Sequence, residues 1–202
     1  MAYSNRKVVL VNIELSPMRM DERVFLHRLG DSIVVNEEVY DFSGLQEGDL
    51  LDHEAMTGSI WFIGPVGRKD GKLFMGIRLP NPPDYTQEQA FPEPLIEVKD
   101  GPIELPGYEV RKLPKNLSSG QIDWSMLSKK IDRDKEAAIP VEKGWQTQEM
   151  EFIANQLLAI EEEADDALPG TRKEWLAYRT RVRLWHESSD FPSSTKRPVR
   201  PV

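Results

Sequence analysis

A chain of 202 residues has room for one large domain or two small ones, and with no cysteine it can form neither a disulfide nor a thiolate metal site. Its 26 Lys and Arg face 34 Asp and Glu, and a net charge of −8 argues against a duplex nucleic-acid binder, which must neutralise phosphates. The apolar run at 8–11 is too short for a signal-peptide core and no stretch approaches a membrane span, so a cytoplasmically folded protein with no membrane partner is expected.

Residues 1–112 read as a β-rich domain. Residues 7–15 alternate loosely among Val, Leu and Ile, and 23–29 lead into a Gly30-Asp31 turn. Residues 32–35 and 38–42 flank Asn36-Glu37 as a hairpin. The clearest hairpin joins 59–66 to 72–79, where Asp70-Gly71 supplies the positive φ that a tight turn needs. Trp61 and Phe62 point to opposite faces, as do Phe74 and Met75. After a proline-rich stretch at 80–94, residues 95–98 and 103–105 predict another hairpin around Asp100-Gly101-Pro102. Short strands at this spacing suggest a small antiparallel β sandwich or barrel.

Residues 113–141 read as a linker, broken by Leu113-Pro114 and by Ser118-Ser119-Gly120. Within it Asp123 caps a short helix through Ile131. Trp124, Leu127 and Ile131 share one face, which docks on the β domain or on a partner. Pro140 ends the segment.

Residues 142–202 read as an α-helical hairpin with an extended Pro/Arg tail, making the whole chain α+β. The first helix, 142–166, carries a stripe of Met150, Ile153, Leu157, Ile160 and Ala164. The second, 172–186, carries Trp175, Tyr178, Val182 and Trp185, and Leu168-Pro169-Gly170-Thr171 separates the two. The stripes can bury against each other. The first arm is acidic, from Glu142, Glu149 and Glu151 to Glu161, Glu162, Glu163, Asp165 and Asp166. The second arm and tail are basic, through Arg172, Lys173, Arg179, Arg181, Arg183, Lys196, Arg197 and Arg200. Acids at a helix C-terminus oppose the helix dipole. The charge runs read either as solvated faces or as a surface presented to a partner, which would make association salt-sensitive.

No segment carries a strong catalytic pattern. Asp52-His53-Glu54 is the one titratable cluster with a histidine, and neighbours in sequence do not face one another. His27 and His186 lie far from it without metal-ligand spacing, so no metal and no cofactor is expected. Residues 64–72 resemble a phosphate loop only superficially: Leu73 stands where a hydroxyl would hold magnesium, and a hairpin turn explains every residue. The aromatic stripe with Arg179, Arg181 and Arg183 could stack single-stranded nucleic acid, but burial in the hairpin explains its spacing better. The tail at 191–201 suits neither helix nor central strand, and a polyproline-like conformation packed on something is expected.

At these residues the chain resembles a known family. Trp175, Tyr178-Arg179, Trp185, Phe191-Pro192 and Arg197-Pro198 look like the C-terminal module of bacteriophage tail-fibre assembly proteins and related small tail proteins. Residues 40–48, and Trp61-Phe62 with Gly64-Pro65-Val66, Arg68, Asp70-Gly71 and Leu73, look like short phage tail proteins. Together these segments cover roughly half the chain. The resemblance implies a non-enzymatic tail protein that helps fold, attach or hold a fibre, with tail-fibre or baseplate subunits as partners and several copies in a symmetric assembly. The implied location is the host cytoplasm during assembly, and the virion tail if the protein is retained. The β domain and long linker exceed a minimal assembly chaperone, which favours a structural component over a transient, non-virion chaperone. A tail-borne cell-wall hydrolase is a further alternative. The residues expected to meet a partner are Glu161, Glu162, Asp165, Trp175, Tyr178, Arg179, Trp185, Phe191, Pro192, Arg197, Pro198 and Arg200.

Overall fold

The computed structural model describes residues 10–202. The chain divides into two compact units, one through Lys130 and one spanning Ile131–Val202.

The first unit is built from β1 (Val11–Arg19), β2 (Leu26–Leu29), β3 (Ser32–Val35), β4 (Glu38–Asp41), β5 (Leu50–Leu51), β6 (Met56–Thr57), β7 (Phe62–Lys69) and β8 (Lys72–Asn81). After a single helical turn, α1 (Gln87–Ala90), come β9 (Leu95–Val98), β10 (Gly101–Ile103), β11 (Ser118–Ser119), β12 (Gln121–Ile122) and β13 (Leu127–Ser128). A six-stranded sheet runs β13-β5-β7-β8-β1-β9, a five-stranded sheet runs β10-β2-β3-β4-β11, and β12 pairs with β6. Neither of the two large sheets closes into a barrel. Alternation along β8 turns Leu73, Met75, Ile77 and Leu79 inward, and β1 adds Val11, Ile13 and Leu15. Leu26, Ile33, Val35 and Tyr40 of the five-stranded sheet join the same core.

The expected hairpins of 32–42 and 59–79 are present. Asp70 and Gly71 have φ of 53° and 73°, and the Glu47 carboxylate accepts both of their amides at 2.6 and 2.9 Å. Two expectations need correction. The pairing is mixed rather than antiparallel, because β1 lies parallel to β8 and β11 parallel to β4. Residues 95–98 and 101–103 do not form a hairpin: β9 pairs with β1 and β10 with β2, so the Asp100-Gly101 turn passes from one sheet to the other. There the Asp100 carboxylate accepts the Gly30 amide at 2.8 Å. The expected first strand began at residue 7, and 7–9 lie outside the described residues.

The linker expectation also changes. Asp123 does act as a cap, but of a single 3-10 turn at Trp124–Met126, after which β13 pairs with β5. The Trp124 ring packs against Gly44, where a Cβ would come within 2.9 Å of it, and Leu127 packs on the core. Ile131 instead lies in the second unit, exposed.

The second unit holds most of α2 (Lys130–Glu161) and all of α3 (Arg172–Arg183), then 3-10 turns at Trp185–Glu187 and Ser194–Lys196. Pro140 does not end a segment. It lies inside α2, which begins 12 residues before the expected start at 142. Proline loses one main-chain hydrogen bond, and helix formers on both sides (Lys135, Glu136, Ala137 and Ala138 before it, Glu142 and Lys143 after it) continue the helix across the gap. Ile153 packs with Trp175, Tyr178 and Val182, flanked by Met150, Leu157 and Ile160, so the two apolar stripes meet as expected. A capping box opens α3: Thr171 and Glu174 satisfy each other's amides. Among the described residues no helix is long and apolar enough to cross a membrane.

Candidate functional site

The tail beyond Lys196 has no regular secondary structure, yet it is held by specific side-chain bonds. Its anchors are two carboxylates on α2, Glu142 and Glu149, one heptad apart and therefore on one helix face two turns apart. The tail supplies Arg197 and Arg200.

In the first socket Arg197 grips Glu142 with two parallel hydrogen bonds, Nε to Oε2 at 2.9 Å and Nη2 to Oε1 at 2.6 Å. The indole Nε1 of Trp185 donates to the same Oε2 at 3.2 Å. The guanidinium also lies over the Trp145 ring, 4.5 Å from its centroid. The second socket repeats the design. Arg200 donates Nε to Glu149 Oε1 and Nη2 to Oε2, each at 2.7 Å. The Tyr178 hydroxyl donates to Oε1 at 2.8 Å, and Arg200 stacks 4.0 Å from the centroid of Phe152.

Each socket thus has three parts: a carboxylate, an aromatic donor that orients it, and an aromatic face for the cation. All three recur at a spacing of seven residues, in Glu142/Glu149, Trp145/Phe152 and Tyr178/Trp185. The last pair runs in reverse order because α3 returns antiparallel to α2. Paired bonds from a planar guanidinium to a carboxylate are the strongest hydrogen-bonded ion pairs available, and the ring face adds a cation–π contribution.

The carboxylates are almost fully enclosed, with side-chain exposures of 2% for Glu142 and 6% for Glu149, whereas Arg197 and Arg200 keep 29% and 47%. The Arg197 hydrogen bonds hold the Glu142 carboxyl below the usual glutamate range against burial, with help from Trp185 and the Arg197 charge. At Glu149 burial is the largest influence and pushes upward, but the hydrogen bonds from Arg200 and Tyr178 and the two arginine charges together outweigh it. Burial and its bond to Glu149 push the Tyr178 hydroxyl up to about 12, so it stays a proton donor across the physiological range.

Supporting contacts fix the rest of the unit. Gln146 Nε2 donates to the carbonyls of Val182 and Arg183 at 2.7 and 3.0 Å, satisfying acceptors at the end of α3. Arg181 donates to the Val199 carbonyl of the tail at 3.3 Å, and the Phe191 ring meets Trp185 edge-on at 5.9 Å. Pro201 lies against Gly170, so the tail ends beside the turn between the helices.

The expected partner-binding residues therefore divide into three groups. Trp175, Tyr178 and Trp185 are buried in the helical core and offer no surface. Arg197 and Arg200 hold the tail to its own chain, the Phe191 ring meets Trp185, and Pro192 and Pro198 are half-buried. Glu161 is exposed at the last position of α2, Glu162 and Asp165 are exposed in the turns that follow it, and Arg179 is exposed on α3. Glu142 and Glu149, read from the sequence only as members of an acidic run, are buried and paired instead. The signal that marks them is their phase: with Gln156 they form a polar heptad running alongside the stripe of Ile153 and Ile160.

Elsewhere, Asp52 caps the 3-10 turn at His53–Ala55 and contacts His53 at 3.0 Å, both on the surface. Residues 64–72 form the β7–β8 hairpin. Among the described residues no three His, Cys, Asp or Glu side chains are grouped to hold a metal ion. In the first unit a cleft of about 550 Å³ lies beside β2, where Arg111 stacks 3.7 Å over Phe25. Buried His27 lines it, and neither ring nitrogen has a hydrogen-bond partner.

No family model, curated protein or solved structure matches the chain.

Proposed function

We propose that the chain is a non-enzymatic bacteriophage tail protein that binds tail-fibre or baseplate subunits as a structural attachment component. One observation carries this reading. Most residues behind the resemblance to tail-fibre assembly proteins also build a clasp: Trp175 and Tyr178 lie in its core, Trp185 donates to Glu142, and Phe191-Pro192 and Arg197-Pro198 belong to its strapped tail. A segment that could not order itself is converted into a defined surface, with Val199 74% exposed on it. The exposed acids at 161–166 supply a second patch of opposite charge to the tail. The heptad repeat of the sockets supports a module selected to hold an extended segment in fixed register.

Removing residues 191–202 should leave fibres unattached or insoluble in infected cells, and unchanged assembly would refute the reading. Composition of purified virions separates the two forms of the proposal. Presence supports a retained attachment component. Absence together with the assembly defect supports a chaperone that leaves the particle.

A further inference from the structure

We propose that the paired sockets on α2 and α3 also accept the Arg-Pro-Val-Arg segment of a second copy of this chain, so that crowded copies link by exchanging tails.

The sockets define a ligand class by geometry. Glu142 and Glu149 are seven residues apart on a helix, which places them roughly 10.5 Å apart along its axis. Arg197 and Arg200 are three residues apart in a segment without secondary structure, which spans roughly 9.3 Å in polyproline-like form. The two ladders therefore match only when the arginine-bearing segment is extended. Pro198 and Pro201 have no amide to donate, so recognition runs through the arginine side chains and the Val199 carbonyl. The site reads Arg-x-x-Arg in an extended chain.

A copy of the same tail is the occupant the structure favours. Every bond in the sockets forms equally well whether the arginines come from the same chain or from a neighbour, so exchange sacrifices no contact within the sockets and only the local bonds of the connection open. The charges complement: the segment carries Lys196, Arg197 and Arg200, and the receiving helix carries Glu142, Glu149 and Glu151. The connection is also suited to opening out. Residues 188–196 are held by bonds local in sequence, such as Phe191 N to Ser188 O, Ser193 N to Asp190 O and Lys196 N to Ser193 O, and residues 193–196 are exposed. Nine extended residues reach about 30 Å. Once a tail lifts, two enclosed carboxylates and the faces of Trp145 and Phe152 lose their cations together, which drives recapture of an arginine pair.

In dilute solution the chain's own tail wins, because a short tether gives it an effective concentration in the millimolar range. Exchange belongs to conditions in which many copies are packed together. The inference rests on the sockets alone and stands or falls independently of a role in a phage tail.

Complementation between two full-length variants tests it. E142Q/E149Q keeps the tail but spoils the sockets, and R197A/R200A keeps the sockets but spoils the tail. Each alone should sediment as a monomer, and an equimolar mixture should yield a 1:1 heterodimer by native mass spectrometry that dissociates as salt rises. A mixture that remains the sum of its monomers overturns the proposal. If circular dichroism shows that E142Q/E149Q does not fold, a synthetic peptide of residues 191–202 takes its place. It should bind R197A/R200A at 1:1, and bind the wild-type chain more weakly because the resident tail competes. Replacing both peptide arginines with alanine should weaken binding at least about tenfold. No binding, or equal binding of the two peptides, also overturns it.

Discussion

Glu142 and Glu149 show how far a residue's meaning depends on partners distant in sequence. An enclosed carboxylate is unfavourable on its own, and an ion pair at this depth contributes little net stability after desolvation. What the two pairs supply is position: each fixes one arginine to one place on α2. Removing an arginine alone leaves a buried acceptor poorly satisfied, at a cost of about 1–3 kcal/mol. The same pairs predict a pH response. Both carboxyls titrate below the ordinary glutamate value of 4.5 in the folded chain. Their contribution is therefore complete above that value, declines as pH falls toward the folded values, and is gone below them. Tail protection in hydrogen exchange should hold from neutrality down to the ordinary glutamate value of 4.5 and be lost as pH falls through the lower folded values, whereas E142Q/E149Q should show a flat, low profile. The sequence displayed the acidic run, but a glutamate's burial is set by an arginine about 50 residues later, which no local pattern reports.

The elements themselves differ in how legible they were. The turns at Asn36-Glu37 and Asp70-Gly71 and the aromatic stripe of α3 were readable because turn chemistry and helical period are local properties. The parallel pairing of β1 with β8 was not, because strands more than 60 residues apart in sequence meet through the fold rather than through a turn. Pro140 misled for a related reason, since a breaker ends a helix only where the flanking sequence does not carry it on. Two glycines of the helical unit sit in opposite surroundings. Gly144 lies inside α2 with open space around it, so Gly144→Ala should raise stability by about 0.5–1 kcal/mol in urea unfolding. Gly170 sits at φ +103° with Pro201 2.7 Å from where its Cβ would stand. Gly170→Ala should lower stability by about 1–3 kcal/mol and release the tail end.

For the whole molecule, the sequence conveyed the order of a β-rich region followed by helices, and it singled out the tail as the part to watch. It misassigned the tail's surroundings, because the acids that hold it read as solvent-facing charge. The second unit is a clasp in which α2 and the tail contribute to both gripping sites, while Tyr178 of α3 serves one and Trp185 of the following 3-10 turn the other, and the proposed attachment role depends on that clasp being closed. The most direct measurement is fibre attachment in virions assembled with R197A/R200A in place of the wild-type chain, with folding of the variant checked by circular dichroism. If attachment needs the closed clasp, the variant folds and its particles lack fibres; particles with a full complement of fibres would contradict that role.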